Sequence, residues 1–520
     1  MVRKKLTYPI YSPYAEDVWK VLPRLTLTGG LRYSYMPFAN ADQGYATSFS
    51  PAAFDPSAVP GVNQNGTLIL NPAYNPLNGL IYNGLSGVPF NLSGAHQNYF
   101  SPSVGFAWDI YGNGRISLRG GYSINYLKSG SSSDCQDNCI GLPAVTQINL
   151  TGANFPNPLG GATTIPTAPS IYGEDIHGIQ AAQIHSYSLS VQQQFGSNWL
   201  IEIAGAGVAG RNLPLELNIN QPQPYQGHDY NPNLNLGGIA NAYDAPYKGY
   251  GNINYATSTG IANWNALEAS VRHPVGKNVA FRAQFTWSHG LADVPSQQGY
   301  ADENEGVQDA YNPMRDYGNT QLNQHLSFSS SVVYALPWFT QGGWTKKAFG
   351  DWQFSAIVAF LSGVSYSAGL STANHGLTTR PDMNPNVPLV RYRGAHVEGF
   401  NGAAPANGPF FSTCSFIVPN IDPSQTSCAP GAQGNTFNGS FGNAPVGNIL
   451  GPGTIINNVS LFKIFPIKDR LNLRVRGEAF NMVNHPNFNG MDLSLGDTNF
   501  GTYTSASDPR EAEFALEVMW

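Results

Sequence analysis

Strict alternation of apolar and polar residues is the feature of this chain that most limits its fold. In Arg115 to Tyr126, apolar or small residues take every second position from Ile116, and Arg, Ser, Gly and Asn take the positions between them. A period of two places the two sets on opposite faces of a β-strand. The pattern recurs and predicts about 13 strands. They are 14–21, 24–35, 102–110, 115–126, 185–195, 198–208, 264–273, 278–288, 325–336, 351–361, 454–464, 470–480 and 511–520.

The connections between the predicted strands alternate between short turns and long polar stretches. The short turns are of hairpin type and contain Gly, Pro, Asn or Asp, as in 22–23, 111–114, 196–197, 274–277 and 466–469. A transmembrane barrel has short periplasmic turns and longer extracellular loops, whereas a soluble sandwich spaces its strands evenly. The alternation therefore predicts an all-β transmembrane antiparallel barrel. A large secreted β-protein whose polar face meets water is the alternative.

Composition agrees with this fold class and excludes others. Only 11% of the 520 residues are charged, against about 25% in a typical soluble domain. The net charge of −6 gives no basic footprint, so nucleic acid is not an expected partner. No apolar run reaches the roughly 18 residues that a membrane helix needs. Aromatic residues near strand ends, such as Tyr33, Tyr126 and Trp287, are typical of membrane interfaces.

Several segments resemble the Oar-like TonB-dependent transporters. The most specific are the hairpin DVWKVLPRLTLTGGLRYSY at 17–35 and the block RGEAFNMVNHPNF at 476–488, and the likeness extends to 100–126, 185–213 and 511–520. The resemblance implies a receptor in the bacterial outer membrane that binds an extracellular ligand and imports a nutrient, such as a glycan or a peptide. It also implies contact with outer-membrane lipid, insertion by the barrel assembly machinery, and energy from the TonB complex delivered through a plug domain.

The chain departs from that family's pattern on its N-terminal side. Members carry a regulatory-like β-domain, a plug inside the lumen and a barrel of about 22 strands. No signal peptide, TonB box, plug or regulatory-like domain is recognisable before Val18. We therefore interpret residues 1–520 as the C-terminal part of such a barrel, a fragment that meets TonB only through a plug missing from this chain. A passive pore, a structural or adhesive surface barrel, and a non-functional gene fragment are the alternatives.

Two sets of residues near the C-terminus are candidates for function. An alternating apolar series ending on an aromatic resembles the assembly signal of outer-membrane barrels, and its members are Phe514, Leu516, Val518 and Trp520. The other face of the last two strands is charged. These charges either contact a plug or substrate inside the lumen or pair with one another across the strands. They are Arg470, Arg474, Arg476, Glu478, Glu513 and Glu517.

The four cysteines form two local pairs in loop-like sequence, Cys135 with Cys139 and Cys414 with Cys428. Four cysteines allow three pairings, and proximity favours the two local disulfides. Such bonds need an oxidising compartment. Four free thiols are the alternative.

No motif nominates a catalytic site, so we expect neither enzyme activity nor a bound cofactor or metal. Gly205, Gly207 and Gly210 fit a dinucleotide-binding pattern, but the sequence after them does not predict the required helix, and a small-residue strand end accounts for them better. The ten histidines lack metal-ligand spacing. The acidic segment 302–306 lacks the Glu that completes a calcium loop, so a solvated turn is the simpler interpretation.

Overall fold

The structure is a computed structural model dominated by one large antiparallel sheet. It describes residues 9–37, 47–63, 68–89, 92, 97–128, 168–196, 198–222, 245–273, 278–293, 307–321, 323–339, 341–370, 380–393, 396–397, 409–419, 441–468 and 471–520. Thirteen long strands of the sheet form a continuous path, which we call the wall. They are β1 Tyr14–Leu22, β2 Leu25–Tyr35, β3 Asn98–Asp109, β4 Ile116–Leu127, β5 Ala182–Phe195, β6 Trp199–Asn218, β7 Ile253–His273, β8 Val279–Ala292, β9 Leu326–Ala335, β10 Gln353–Leu361, β11 Thr454–Lys468, β12 Leu471–Phe480 and β13 Glu511–Met519.

Each strand of the wall pairs with the next one along the chain, and this confirms all of the predicted strands. Ile171–Glu174 and Gly318–Asn319 pair off the path, with β7 and β8 respectively, and bring the sheet to 15 strands. Within the described residues, β1 pairs only with β2, and β13 pairs only with β12. In the described residues the wall is therefore an open sheet with two edges.

Two strands are much longer than their sequence pattern predicts. We predicted 198–208 and 264–273, but β6 has 20 residues and β7 has 21. The prediction was wrong because Pro214 and the polar residues around it interrupt the alternation. The two strands nevertheless keep pairing beyond this point, with two shifts of register near Leu213. Leu215 and Leu217 are buried there against Val307, so side-chain packing supports the extension.

The two faces of the wall differ in polarity, and the polar face is the more covered one. One row across β5 to β10 consists of Val191, Ile203, Ala269, Phe285, Phe328 and Phe360. The neighbouring row consists of Gln192, Glu202, Ser270, Gln284, Ser329 and Ala359. Ile203 is 54% exposed and Phe360 49%, whereas Glu202 and Gln284 are half-buried. A protein surrounded by water shows the opposite arrangement, so we call these the apolar face and the polar face.

The short connections all lie at one end of the wall, which we call the turn end. Gly112 and Gly114 both have φ of 72°, a conformation that glycine adopts without strain, and they turn the chain from β3 to β4. The connection from β9 to β10 holds the short helix α1 Trp344–Phe349. The turn predicted at 466–469 begins later, because β11 continues to Lys468 with a register shift. The turn at 274–277 lies outside the described residues.

The long connections fold into a second layer at the opposite end of the strands, which we call the loop layer. Its largest buried cluster contains Phe411, Phe416 and Phe500, and a second is centred on Phe49 and Tyr250. Its 3-10 helices are Pro51–Ala53, Pro313–Asp316 and Thr413–Ser415. Its short strands are Thr47–Phe49, Gly61–Val62, Leu68–Ile69, Leu80–Tyr82, Ser365–Tyr366, Gly369–Leu370, Asp382–Met383, Tyr392–Arg393, His396–Val397, Phe416–Ile417, Ile449–Leu450, Phe488–Met491, Ser494–Leu495 and Tyr503–Ala506.

No helix in the described part of the chain is long and apolar enough to span a membrane.

Candidate functional site on the polar face of the wall

A recess of about 160 Å³ lies on the polar face where β6, β7 and β8 run side by side. Hairpin connections place these strands next to each other, and the period of two aims every second side chain at the same face. The register brings Glu202 opposite Ser270, and Ser270 opposite Gln284. The recess is lined by Glu202, Ala204, Glu268, Ser270, Arg272, Arg282 and Gln284.

The charges of this recess are not neutralised by one another. Arg272 lies directly opposite Arg282 across β7 and β8, although like charges in that position repel. Among the described residues, neither arginine forms an ion pair, and neither Glu202 nor Glu268 does so. The two arginines lie nearer the turn end than the two glutamates. The recess therefore offers separated cationic and anionic groups to a polar ligand or to a polypeptide segment of complementary charge.

The C-terminal charges that the sequence singled out are arranged differently. Arg474 and Glu517 form an ion pair of 3.0 Å between β12 and β13, and Arg476 lies 3.7 Å from the same carboxylate. Arg476 also contacts Glu478 at 3.3 Å, an ion pair without hydrogen-bond alignment at its Nε atom. Glu513 lies opposite Glu478. Arg470 lies outside the described residues.

The apolar residues of the C-terminal strand lie together on the apolar face. Phe514 is 90% exposed, Leu516 73%, Val518 53% and Trp520 90%. Phe514 lies opposite Gly477, whose missing side chain leaves room for the aromatic ring. These four residues therefore form an exposed apolar strip along the open edge at β13. Their role in assembly stays a prediction.

The loop layer above the wall is held together by a buried polar network. Arg380 forms a buried ion pair with Asp316 and donates from Nε to the carbonyl oxygen of Ala444 at 2.9 Å. Gln308 accepts from the Arg380 backbone N–H at 2.6 Å and donates to the carbonyl oxygen of Gly442 at 3.0 Å. These contacts join two of the long connections, the one between β8 and β9 and the one between β10 and β11. The loop layer is therefore a folded surface.

Asp293 lies where β8 enters the loop layer, and its side chain is almost fully buried. Burial raises the pKa of this carboxyl group, hydrogen bonds with Ile261 and with its own backbone N–H lower it, and the nearby carboxylate of Asp316 raises it further. Its Oδ1 accepts from the Ile261 N–H at 2.7 Å. The carboxyl group thus joins two strands of the wall at the base of the loop layer.

The cysteines and glycines noted in the sequence are accounted for only in part. Cys414 is disulfide-bonded, and the described residues contain no free cysteine. Cys135, Cys139 and Cys428 lie outside the described residues, as does the acidic segment 302–306. The three glycines Gly205, Gly207 and Gly210 lie within β6 and not at its end, because the strand continues to Asn218.

Gly207 has a packing role on the apolar face. A Cβ atom at this position would lie 2.3 Å from the ring of Tyr187. The Tyr187 hydroxyl donates to Oδ1 of Asn265 at 2.5 Å. The glycine thus gives room to a tyrosine that crosses from β5 towards β7. In the described part of the chain, no group of three or more His, Cys, Asp or Glu residues is placed to hold a metal ion.

The recess could have been predicted from the sequence, although we did not single it out. Glu202, Glu268, Arg272 and Arg282 fall on the polar positions of three consecutive predicted strands. Consecutive hairpins make such strands neighbours, which is enough to place the four charges together. The sequence does not predict which of the four charged side chains form ion pairs, because pairing depends on the register of the strands and on the length of the side chains.

An open antiparallel wall with an exposed apolar face and a polar face defines a membrane-embedded β-barrel protein. Residues 2–513 match the family model described as outer membrane beta barrel domain. The chain belongs to this family, and its location is the bacterial outer membrane.

Several solved structures are similar to this chain at low sequence identity. They include the FrpB iron transporter from Neisseria meningitidis (10% identity, 99% of this chain and 46% of that chain, TM-score 0.43). Others are the siderophore receptor PiuA from Acinetobacter baumannii (8%, 98% and 42%, 0.42) and the outer membrane transporter YddB from Escherichia coli (9%, 98% and 54%, 0.42). The chain spans less than two thirds of each of these proteins. No curated protein matches the chain.

Proposed function

We propose that this chain is the wall and loop region of an outer-membrane receptor that binds an extracellular nutrient and imports it with energy from TonB. The observation that carries the proposal is the polar face with its recess at β6 to β8. A hydrated solute moves along such a face because hydroxyl, amide and charged side chains replace the hydrogen bonds that it made with water.

The loop layer supplies ligand recognition in this proposal. Its connections are tied to one another by the ion pair of Arg380 with Asp316 and by the contacts of Gln308. A surface that is folded before the ligand arrives loses less conformational entropy on binding. The long connections are rich in Asn and aromatic residues, which suits a neutral ligand with many hydrogen-bonding groups, such as a glycan or a peptide.

Energy coupling and assembly need partners in this proposal. A plug supplied by polypeptide outside residues 1–520 meets the recess, where Arg272 and Arg282 remain free for acidic groups and Glu202 and Glu268 for basic ones. The plug carries the contact to TonB. The barrel assembly machinery recognises the exposed apolar strip of β13. The proposal assigns no catalysis to the chain.

The test is growth of the producing bacterium with the gene deleted and then restored, on limiting oligosaccharides or peptides as the only nutrient. Restored growth that disappears when TonB is depleted supports the proposal. Restored growth without TonB indicates a passive pore. No growth difference on any nutrient indicates a structural or adhesive barrel or a non-functional fragment.

Variants of the recess residues test the role of the recess in the same growth assay. Arg272→Gln combined with Arg282→Gln removes both unpaired cations of the recess, and we expect slower growth at limiting nutrient with unchanged barrel level in the membrane. Leu267→Ile is the matched control, because it alters a side chain of β7 on the apolar face. Equal growth of the two variants would contradict a role for the recess.

A further inference from the structure

A segment rich in aromatic residues lies at the turn end of the wall and is not explained by transport. Its described residues are 336–339 and 341–350, which lie between β9 and β10 and include α1. Four of its aromatic side chains are exposed to a degree that is costly in water. Trp338 is 58% exposed, Phe339 53%, Trp344 72% and Phe349 51%. We call residues 336–339 and 341–350 the aromatic segment.

Three rings of the aromatic segment, those of Phe339, Trp344 and Phe349, form one connected patch. The centroids of Phe339 and Phe349 are 5.5 Å apart, and those of Trp344 and Phe349 are 6.2 Å apart in an edge-on arrangement. Each of these three rings has a ring neighbour and keeps half or more of its surface uncovered. A contiguous exposed apolar patch of this kind marks an interaction surface.

A buried lysine fixes the aromatic segment to the wall. Lys463 of β11 is 3% exposed. Its Nζ donates to the carbonyl oxygens of Lys346 at 3.2 Å, Lys347 at 2.7 Å and Gly350 at 2.5 Å. An ammonium group has three donors, and here all three have an acceptor. The last carbonyl groups of a helix lack partners within the helix and attract a cation, so the contact satisfies both sides.

The attachment places the aromatic segment on the apolar face. Lys463 lies opposite Val475, and two residues away on the same strand Leu461 lies opposite Gly477. On the other side of β12, Val475 lies opposite Leu516 and Gly477 lies opposite Phe514, and both partners belong to the apolar strip. Lys463 therefore points to the apolar side of the wall, and the segment that covers it lies on that side.

The aromatic segment is level with a row of aromatic residues on this face. Trp108, Trp199 and Trp520 lie near the turn end and are 38%, 43% and 90% exposed. Phe100 lies at the other end of β3, on the same face as Trp108, and is 55% exposed. Eight residues of strand separate Phe100 from Trp108, or roughly 27 Å along the strand. On strands tilted by about 35–45°, this length covers roughly 19–22 Å of membrane depth, which is comparable with the height of about 25 Å expected for the apolar band of a membrane barrel between its two aromatic girdles.

We propose that the aromatic segment is a membrane-interface anchor that binds the phospholipid leaflet at the turn end of the wall. Its rings lie at the boundary between headgroups and acyl chains, where amphipathic aromatic side chains are favoured. Lys346 and Lys347 lie beside the rings, and their positive charge complements anionic headgroups. Lys463 holds the segment flat against the wall, so that the anchor fixes the depth of this part of the barrel.

The test uses the full chain in vesicles of phosphatidylethanolamine and phosphatidylglycerol that contain a brominated lipid. Bromine quenches tryptophan emission on contact, and it is placed either near the headgroup or near the bilayer centre. We expect Trp344→Phe to remove emission that headgroup-level bromine quenches strongly and central bromine weakly. Trp264→Phe is the matched control, because Trp264 lies on the polar face, so its loss should leave lipid quenching unchanged.

Two results would overturn the proposal. If aqueous iodide quenches the Trp344 component and brominated lipid does not, the aromatic segment faces water. If neither quencher reaches it, polypeptide covers the segment, either a second copy of the chain or another protein. Labelling of Trp344→Cys by a membrane-impermeant maleimide in native outer membranes repeats the test without refolding, and rapid labelling would contradict the anchor.

Lys463→Met tests the attachment. Without the ammonium group, the three carbonyl oxygens lose their donor, so we expect the Trp344 component to lose its headgroup-level quenching while the strand content by circular dichroism is unchanged. Lys463→Arg keeps a cation with several donors and should restore the quenching. Unchanged quenching in Lys463→Met would show that the segment does not depend on this lysine.

Discussion

The wall and the loop layer use apolar side chains in opposite ways. On the wall, large apolar residues point outward, and Ile203 and Leu189 are each 54% exposed. In the loop layer, Phe411 and Phe416 are fully buried. The wall is stable only where lipid covers its apolar face, because water would leave that surface uncompensated. The loop layer is packed like a small soluble domain. The wall is therefore suited to lipid on its apolar face, and the loop layer is suited to water.

The two regions also differ in how their contacts follow the order of the chain. The wall joins only strands that follow each other in sequence, whatever the length of the connection between them, so its hydrogen bonds are set by register. The loop layer joins residues of different connections. The Tyr250 hydroxyl donates to the Asn78 carbonyl oxygen at 2.8 Å across 172 positions of sequence, and Arg380 pairs with Asp316 across 64. Changes in one region should therefore leave the other largely intact.

Loss of a core ring should have the largest effect on the loop layer. Phe411→Ala removes a ring whose centroid lies 5.4 Å from that of Phe500 and 5.6 Å from that of Phe416. A cavity of this kind costs about 3–5 kcal/mol. We expect faster hydrogen exchange at the backbone N–H groups of Phe410 and Ser412, with wall amides unchanged.

Phe488→Ala is the control for this prediction, since that ring is 48% exposed. It should change the exchange of the loop layer only slightly. If Phe411→Ala accelerates exchange in the wall to the same extent, the two regions unfold as one unit and the comparison fails.

A positive charge introduced into β6 should lower the stability of the wall much more on the apolar face than on the polar face. Ile203→Arg places a cation on the apolar face, roughly 13 Å along the strand from Trp199. This substitution is expected to cost about 2–4 kcal/mol near the middle of the membrane. Ala204→Arg, one residue further, places the same cation in the polar recess beside Glu202 and should cost little. Urea titration of the folded fraction in lipid vesicles measures both, and equal losses would refute the assignment of faces.

Sequence alone predicted the wall because its signal is local. Each strand carries its own alternation, and each short turn fixes the neighbour, so the strand order and the two faces followed from the pattern. The extension of β6 and β7 escaped prediction, since Pro214 breaks the pattern and the support comes from Val307 in another connection.

The remaining features depend on contacts that no local pattern encodes. Helix α1 has only 6 residues, and the lysine that satisfies its carbonyl groups lies 117 positions from Lys346. The packing of Phe49 with Tyr250 likewise joins two separate connections. For the candidate site, the sequence placed charges on the correct face, but only the register shows that Arg474 is paired while Arg272 faces Arg282.

The stability of the loop layer should depend on pH through the carboxyl group of Asp293. Burial raises the pKa of this carboxyl group above its ordinary value of 3.8. In the pH range between 3.8 and the raised pKa, the folded state holds a proton that the unfolded state has lost. The contribution of Asp293 to stability therefore falls as pH rises through this range.

Asp293→Asn should flatten that dependence and leave the loop layer more stable at neutral pH. The amide oxygen still accepts from the Ile261 N–H, and no charge is buried. Urea unfolding of the loop layer at a series of pH values measures the effect, with wall unfolding recorded in parallel. If the variant keeps the same slope as the wild type, a different group titrates.

The smallest effect should come from the ion pair between Arg474 and Glu517, and it sharpens the contrast between the two regions. Both side chains are about one third exposed, at 33% and 37%, so water and salt weaken their attraction. A double-mutant cycle with Arg474→Met and Glu517→Gln should give a coupling free energy of about 0.2–1 kcal/mol. Added salt should reduce it.

The reference for this cycle is the pair of Arg380 and Asp316 in the loop layer, whose side chains are only 13% and 4% exposed. Removal of one partner there leaves a buried charge uncompensated, so its coupling should exceed that of the wall pair and resist salt. Equal, salt-sensitive couplings would mean that water reaches the loop-layer pair as easily as it reaches the polar face. In that case the loop layer is not folded as a packed domain, and recognition by a preformed surface loses its basis.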